Sequence, residues 1–367
     1  MEHHAGSLIP AAVAVFELLV LLLPLPLILI ANWYEAPPTG ESTMARGAAF
    51  LGTTVWMLLA LVAALTILLG IVTVAFTPPR GTSVLYAVVM VLTGIVAAAL
   101  ISEPVRSALA RILPIDPTSA VHATALVLTT VLVGSQVANQ LAVDVLSQQA
   151  STAQSLSPLD LVLQELPFLL AAAFGVGLFI RRRPRATLDR LGLVRPTTWQ
   201  VVLGLSAAFV FFAFGNGMDL LGHLISPGTA QKVDAANHHL FGQLDNPVGI
   251  VTIALSAGIC EEALFRGAMQ PRLGILWTAI VFTTVHTQYG LSLDAVAVLV
   301  LAVGLGLLRR ATNTTTSTVC HVVYNTLVGV GVSGVLLGPV VITGAALVVA
   351  SVAAFFTGRL GSLRTAP

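Results

Sequence analysis

The stretch that decides the fold is C-E-E-A-L-F-R-G at residues 260–267. It places two adjacent carboxylates and a guanidinium inside a run, 247–268, that is otherwise almost entirely apolar. In lipid each uncompensated charge costs several kcal/mol, so a function must justify these charges. On a helix Glu262 and Arg266 share a face, which predicts an ion pair. Glu261 points about 100° away from that face and remains free for chemistry.

The composition around this stretch indicates a membrane protein. Of 367 residues, 56% are hydrophobic and only 9% are charged, which lies outside the range of soluble domains. The net charge of +1 excludes a basic surface for nucleic acid. The two cysteines, Cys260 and Cys320, fall in predicted membrane helices, so we expect small apolar fillers and no disulfide.

Apolar runs long enough to span a bilayer recur along the whole chain. They predict an all-α fold, a polytopic transmembrane bundle of about eleven membrane helices. The first run lacks a basic leader and predicts a retained helix rather than a secretory signal. The predicted helices are 8–31, 48–76, 83–102, 119–140, 158–180, 200–222, 247–271, 274–289, 291–308, 314–333 and 335–357.

The basic residues predict the orientation and the domains. The predicted loops on one side of the membrane contain nearly all of the 17 Lys and Arg residues. The loops on the other side contain only Arg80 and Lys232. Under the positive-inside rule the arginine-rich side and the C-terminus are cytoplasmic. We expect four parts: an N-terminal five-helix membrane region (1–180), a basic cytoplasmic linker (181–199), a core that holds the motifs (200–357) and a short cytoplasmic tail (358–367).

Two further motifs lie in the core. Phe282-x-x-x-His286 and His321-x-x-x-Asn325 each place two residues on one helix face. At about 1.5 Å per residue, Glu261, His286 and His321 each lie roughly 16–18 Å from the cytoplasmic ends of their helices. A lone intramembrane histidine or asparagine often only bonds two helices together. The shared depth instead predicts one functional site.

The residue types in this site predict hydrolysis of an amide bond. Glu261 and His286 are suited to activate a water molecule as general base. His321 and Asn325 are suited to donate hydrogen bonds to the developing oxyanion. The predicted ion pair would hold the helix in register and keep Glu261 ionised.

The same groups are also acceptable zinc ligands. Glu261, His286 and His321 could hold Zn²⁺ with a water in the fourth position, and their spacing leaves metal and metal-free chemistry open. There is no H-E-x-x-H, so a zincin is excluded. We interpret the outer segment 223–246 as a solvated loop rather than a metal site, although it collects His223, Asp234, His238, His239 and Asp245.

Together the three motifs resemble a known family. The sequence E-E-x-x-x-R (Glu261, Glu262, Arg266), then F-x-x-x-H, then H-x-x-x-N is similar to that of the CPBP intramembrane proteases. This family contains the type II CAAX prenyl endopeptidases and bacteriocin-processing proteins. The resemblance covers 198–357. It implies an α-helical membrane endopeptidase in which the first Glu and first His activate water and the last His and Asn form the oxyanion hole. Family members have been described both as metalloproteases and as metal-free enzymes.

The expected partners are a peptide or protein substrate at the membrane and the lipid bilayer. We expect a multi-pass protein of a bacterial plasma membrane. A different class, an ion- or proton-coupled transporter, would use the same residues as a midplane relay, but it predicts paired repeats that this sequence lacks. G-V-S-G at 331–334 spells a rhomboid-type motif that we interpret as a turn. Three isolated polar residues of the N-terminal region are interpreted as packing or interfacial groups: Glu17, His122 and Glu165.

Overall fold

The computed structural model describes residues 22–36, 43–76, 81–151, 155–332 and 336–357. These residues form helices and connecting turns, with no β-strand among them, which confirms the predicted all-α class. In chain order the helices are α1 (Pro24–Tyr34), α2 (Thr43–Phe76), α3 (Gly81–Ile101), α4 (Glu103–Leu109), α5 (Ala120–Ala142), α6 (Val145–Ser151), α7 (Pro158–Gly175), α8 (Pro184–Leu191), α9 (Thr198–Ile225), α10 (Pro227–Phe241), α11 (Pro247–Glu261), a π-helix (Glu262–Met269), α12 (Gln270–Val285), α13 (Leu293–Ala311), α14 (Thr314–Val330) and α15 (Leu337–Phe356).

Seven segments of the described chain are long and apolar enough to cross a membrane. The protein is therefore a multi-pass membrane protein, while the predicted count of about eleven spans is not confirmed. The longest of the seven, Pro247–Val285, has 39 residues. It is interrupted at Gly274, whose φ of 74° favours glycine, so the predicted division near this position is present. Most of the predicted helix 8–31 and Ser333 of the G-V-S-G motif lie outside the described residues.

Short helices occupy segments for which the sequence predicted loops. α8 lies inside the predicted linker 181–199, and α10 fills most of the predicted outer loop 223–246. The loop predictions were wrong because these helices lack the long apolar run by which membrane helices are recognised. Their signals are local. α8 begins with a proline in its first turn and ends before Gly192, which has a left-handed φ of 71°.

Arginines from distant parts of the sequence meet at one end of the bundle. The pKa of Arg190 is lowered to about 10 by its burial and by the charges of Arg272, Arg182, Arg309 and Arg181. Arg190 also donates a hydrogen bond to the backbone oxygen of Gly267 at 3.2 Å. The shared face agrees with the asymmetry of the basic residues. That this face is cytoplasmic stays a prediction.

Close helix packing sets the position of the site. α11 packs against both α7 and α14. At Gly258 of α11, an added Cβ would lie 2.6 Å from Val322 Cγ2 and 3.2 Å from the Val322 backbone nitrogen. Small residues allow two membrane helices to approach this closely. The contact lies one turn before Glu261 and beside His321, so it controls the distance between them.

We expect Gly258→Val to separate α11 from α14 and to lower both stability and any activity of the site. The cost should be about 1–3 kcal/mol, because overpacking forces the backbones apart. Thermal unfolding in detergent micelles measures it. The matched control is Gly217→Val on α9, where an added Cβ meets nothing within 4 Å. Equal melting temperatures for the two variants would contradict this account of the packing.

Candidate active site

The first motif lies in a π-helix. α11 ends at Glu261, and the next eight residues, Glu262–Met269, have π-helical backbone before α12 begins at Gln270. The backbone N–H of Gln270 bonds to the oxygen of Phe265, five residues earlier. The predicted regular α-helix over 247–271 is therefore wrong in its second half. π-Helical segments are rare and frequently mark functional sites.

Glu261 lies between two imidazoles. Its Oε1 is 3.9 Å from Nε2 of His286, and its Oε2 is 3.9 Å from Nε2 of His321. The carboxylate is buried, with 5% of the residue exposed. The distances exceed a hydrogen bond and suit a bridging water. The structure thus brings together the three residues that the sequence places at one depth.

Glu262 has two partners. Its Oε1 is 3.7 Å from Nε of Arg266 and 3.1 Å from Nδ1 of His321. The predicted ion pair is present, whereas the contact with His321, which comes from another helix, could not be predicted from spacing within one helix. Since an ionised carboxylate only accepts, Nδ1 of His321 donates this hydrogen bond. Glu262 thereby fixes the orientation of the His321 ring.

Phe282 packs against the charged groups. The Arg266 guanidinium carbon lies 4.6 Å from the centre of the Phe282 ring, a distance typical of cation–π contacts. The same ring is 4.4 Å from the His286 ring and 6.0 Å from the His321 ring. Phe265 of the π-helix meets it edge-on at 5.1 Å. This position explains why a phenylalanine precedes His286 by one turn.

His286 stands at the C-terminal end of α12. Its Nδ1 is 2.8 Å from the backbone oxygen of Phe282. A carbonyl only accepts, so Nδ1 carries a proton and donates to Phe282, while Nε2 faces Glu261. The following residue, Thr287, accepts a hydrogen bond at 2.9 Å from Gln149 of α6. A helix of the N-terminal region therefore supports the loop that holds His286.

A cavity lies beside these groups. Its water-accessible volume is about 60 Å³, enough for a few water molecules, because one needs roughly 10–15 Å³. Tyr289 and Tyr324 belong to its lining and were missed by the sequence analysis. Their only sequence signal is their closeness to His286 and Asn325. The polar and aromatic lining comprises Phe211, Phe282, His286, Tyr289, His321, Tyr324 and Asn325.

The candidate zinc ligands do not converge on a single point. Each oxygen of Glu261 faces a different imidazole. Residues that share one Zn²⁺ ion must each bring a ligand atom close to the others. The three residues are not among those whose ligand atoms lie within 4.8 Å of one another. In the described part of the chain, that criterion is met by a different group at the C-terminal end of α9, here called the outer group after its predicted side. There Nε2 of His223 lies 3.6 Å from Asp219 and 3.3 Å from Asp234.

This outer group corrects the prediction for 223–246. His223 and Asp234 are held on α9 and α10 rather than in a loop, whereas His238, His239 and Asp245 do not join them. Asp219, which the sequence analysis did not single out, completes the group. All three side chains are more than a third exposed.

Comparison with known families gives one finding. Residues 243–327 match the family model of the Rce1-like type II CAAX prenyl endopeptidases. The segment is CAAX protease-like. The resemblance predicted from the three motifs is thereby confirmed, because all of them lie inside the matched residues. Neither the curated proteins nor the solved structures that were compared include a significant match.

The CAAX protease-like segment runs from the turn before α11 into α14. It contains the π-helix, the break at Gly274 and the loop after His286. The match supports an enzyme of the protease type in the membrane. α6 and α7 contact this segment but precede it in the sequence.

We expect Arg266→Met to destabilise the CAAX protease-like segment by about 3–5 kcal/mol, because the buried Glu262 would lose its guanidinium partner and keep only the hydrogen bond from His321. Unfolding in detergent micelles measures the loss. The exposed Arg310→Met serves as the control, with little expected change. The double variant Glu262→Gln/Arg266→Met should recover most of the stability, since an amide needs no counter-charge. A double variant as unstable as Arg266→Met would contradict the ion-pair account.

Proposed function

We propose that this protein is an intramembrane endopeptidase, which hydrolyses a peptide bond of a membrane-associated peptide or protein. The observation that carries the proposal is the buried carboxylate of Glu261 between Nε2 of His286 and Nε2 of His321. The two histidines line a cavity large enough for water, and all three residues lie within a segment that is similar to type II CAAX prenyl endopeptidases.

In the proposed reaction Glu261 and His286 activate the attacking water. Both present acceptors, since Nδ1 of His286 donates to Phe282 and leaves Nε2 as a lone pair. A water held between Oε1 and Nε2 donates one O–H to each of them. As its oxygen attacks the carbonyl carbon, one proton passes to this pair. The same proton is then given to the leaving amine as the C–N bond breaks.

His321 and Asn325 are proposed to stabilise the oxyanion. Nδ1 of His321 donates to Glu262, so Nε2 donates only when the ring is protonated. The proposed role therefore requires the protonated ring, whose two nitrogens face Glu261 and Glu262. Asn325 lies one turn further along the same helix face and lines the same cavity. Two donors fixed in a dry site stabilise a developing negative charge without reorganisation.

Zinc is not used in this mechanism. Glu261, His286 and His321 have suitable ligand chemistry, and bound zinc would supply an activated water. The proposal of a metal-free reaction is supported by the placement of each Glu261 oxygen beside a different imidazole. The steps above therefore rely on the protein's own acid and base groups.

The substrate class follows from the family. The matched family is described as prenyl endopeptidases acting at CAAX sequences, so a farnesylated CAAX peptide is the first substrate to test, beside the same peptide without its lipid. The transporter alternative receives no support from the comparison, and we do not pursue it.

We expect Glu261→Gln and His286→Ala each to lower the rate of peptide cleavage by at least about 10²-fold, because each removes half of the general base. The assay measures cleavage of fluorogenic versions of the two CAAX peptides, with and without the farnesyl group, by the purified protein in liposomes. The controls are the exposed Glu103→Gln and His238→Ala. Proteomics of membrane fractions carrying wild type or Glu261→Ala identifies natural substrates. Full cleavage by either site variant, with unchanged melting temperature, would remove that residue from its role.

We also expect cleavage to persist in the presence of a zinc chelator. Elemental analysis of the purified protein provides the second measurement. Stoichiometric zinc that disappears in His286→Ala, together with loss of cleavage on chelation, would replace the metal-free mechanism with a metal-dependent one. Zinc that disappears in His223→Ala instead would belong to the outer group.

A further inference from the structure

Glu165 is a buried acid outside the matched segment. It lies in α7, only 9% of the residue is exposed, and its Oε2 has no hydrogen-bond partner. The sequence analysis interpreted it as a packing group. A carboxyl group left without a partner inside a membrane protein costs free energy, so such groups are rare and functional.

The face of α7 that carries Glu165 meets the π-helix. Phe168, three residues later and on the same face, packs edge-on against Phe265 at 5.8 Å. One turn beyond, Ala172 lies in one buried cluster with Ala263. Glu165 lies about one turn before Phe168, and Glu261 lies about one turn before Phe265, so the contact between the two phenylalanines places the two acids at neighbouring levels of helices that pack together. The N-terminal region therefore packs against the segment that carries Glu261.

The charges of the site assign a protonation state to Glu165. Among the described residues that form the site, Arg266 is the only arginine. Its ion-pair partner is Glu262. Glu261 has the two imidazoles. A third carboxylate would have no counter-charge and would repel Glu261, and like charges in one site keep one group protonated. This balance of charges favours a neutral Glu165, which would have a proton to donate.

A single water can connect the two acids. Oε2 of Glu261, like Oε2 of Glu165, is buried without a hydrogen-bond partner. A buried water typically satisfies such pairs of unpartnered polar atoms. The neutral acid would donate to the water, and the water would donate to Glu261. This arrangement leaves the other carboxylate oxygen free to face the attacking water near His286.

We propose that Glu165 is a positioning residue of the hydrolytic site, a neutral carboxyl group that holds Glu261 towards the imidazoles through one bridging water. The proposal rests on the proposed endopeptidase function. It adds to the site a residue from α7, which lies outside the CAAX protease-like segment.

The test compares Glu165→Gln and Glu165→Leu in the fluorogenic CAAX peptide assay, with the exposed neighbour Gln164→Leu as the matched control. An amide also donates, so Glu165→Gln should keep kcat within about threefold of wild type. Glu165→Leu should lose roughly 10–10² in kcat, the cost of misplacing a catalytic group. KM should change little, because ground-state binding is untouched. The melting temperature of Glu165→Leu should change little, since burial of the apolar side chain offsets the loss of the water-mediated hydrogen bond.

Two activity outcomes would overturn the proposal. Wild-type kcat in Glu165→Leu would make the residue a packing group only. Equal loss in Glu165→Gln and Glu165→Leu, at unchanged melting temperature, would show that a charge rather than a neutral donor is needed. Glu261→Gln is assayed in parallel. If it cleaves as fast as wild type, the proposed function fails, whereas its inactivity beside a fully active Glu165→Leu defeats the role of Glu165 alone.

Infrared spectroscopy tests the neutral acid without any substrate. At neutral pH the wild-type protein should show the carbonyl band of a protonated buried carboxyl group, and Glu165→Gln should lack it. A band that is absent from wild type, or unchanged in Glu165→Gln, would contradict the proposal whether or not the peptide is cleaved.

Discussion

Buried charge inside a membrane protein is the constraint on which the site depends. Arg266 and Glu262 are almost completely inaccessible, with 1% and 0% of each residue exposed, so neither can be solvated by water. Each must find its compensation within the protein. Glu262 finds it in Arg266 and His321, and Arg266 finds part of it over the ring of Phe282. The same contacts that make burial tolerable tie α14 and α12 to the π-helix, so compensation and alignment of the site have one cause.

Backbone irregularities then aim the reactive groups. A π-helix starts immediately after Glu261, and α12 ends at His286. In a regular α-helix the residues four apart in each motif would lie on one face of the helix. The wider π-helical turn sets the positions of Glu261 and Glu262, and the helix end places His286 in the lining of the cavity. The close approach at Gly258 brings His321 to the other side of Glu261. Chemistry of this kind needs both the residue types and these departures from regular geometry.

The N-terminal region takes part in the core rather than standing apart from it. α7 packs against α11 and the π-helix, and α6 reaches the loop after His286 through Gln149. On the outer side Lys232 of α10 lies 2.6 Å from Asp144, just before α6. Helices on the two sides of the predicted linker 181–199 therefore pack closely against each other. The residues that shape the site come from both sides of it.

From the sequence alone we could predict the class of the protein and the residues of its candidate site. Long apolar runs specify membrane helices because lipid leaves backbone groups no other partner, and charged residues within such runs, Glu261 and Arg266 among them, mark function because they are costly there. Spacing within one helix was enough to predict the pair of Glu262 with Arg266. The tertiary structure alone decided what lies between helices: the contact of Glu262 with His321, the π-helical turn, the short helices α8 and α10, and the approach of Glu165. Periodicity reports which residues share a face of one helix, whereas contacts between helices depend on how those faces pack, and that is fixed only when the whole bundle assembles.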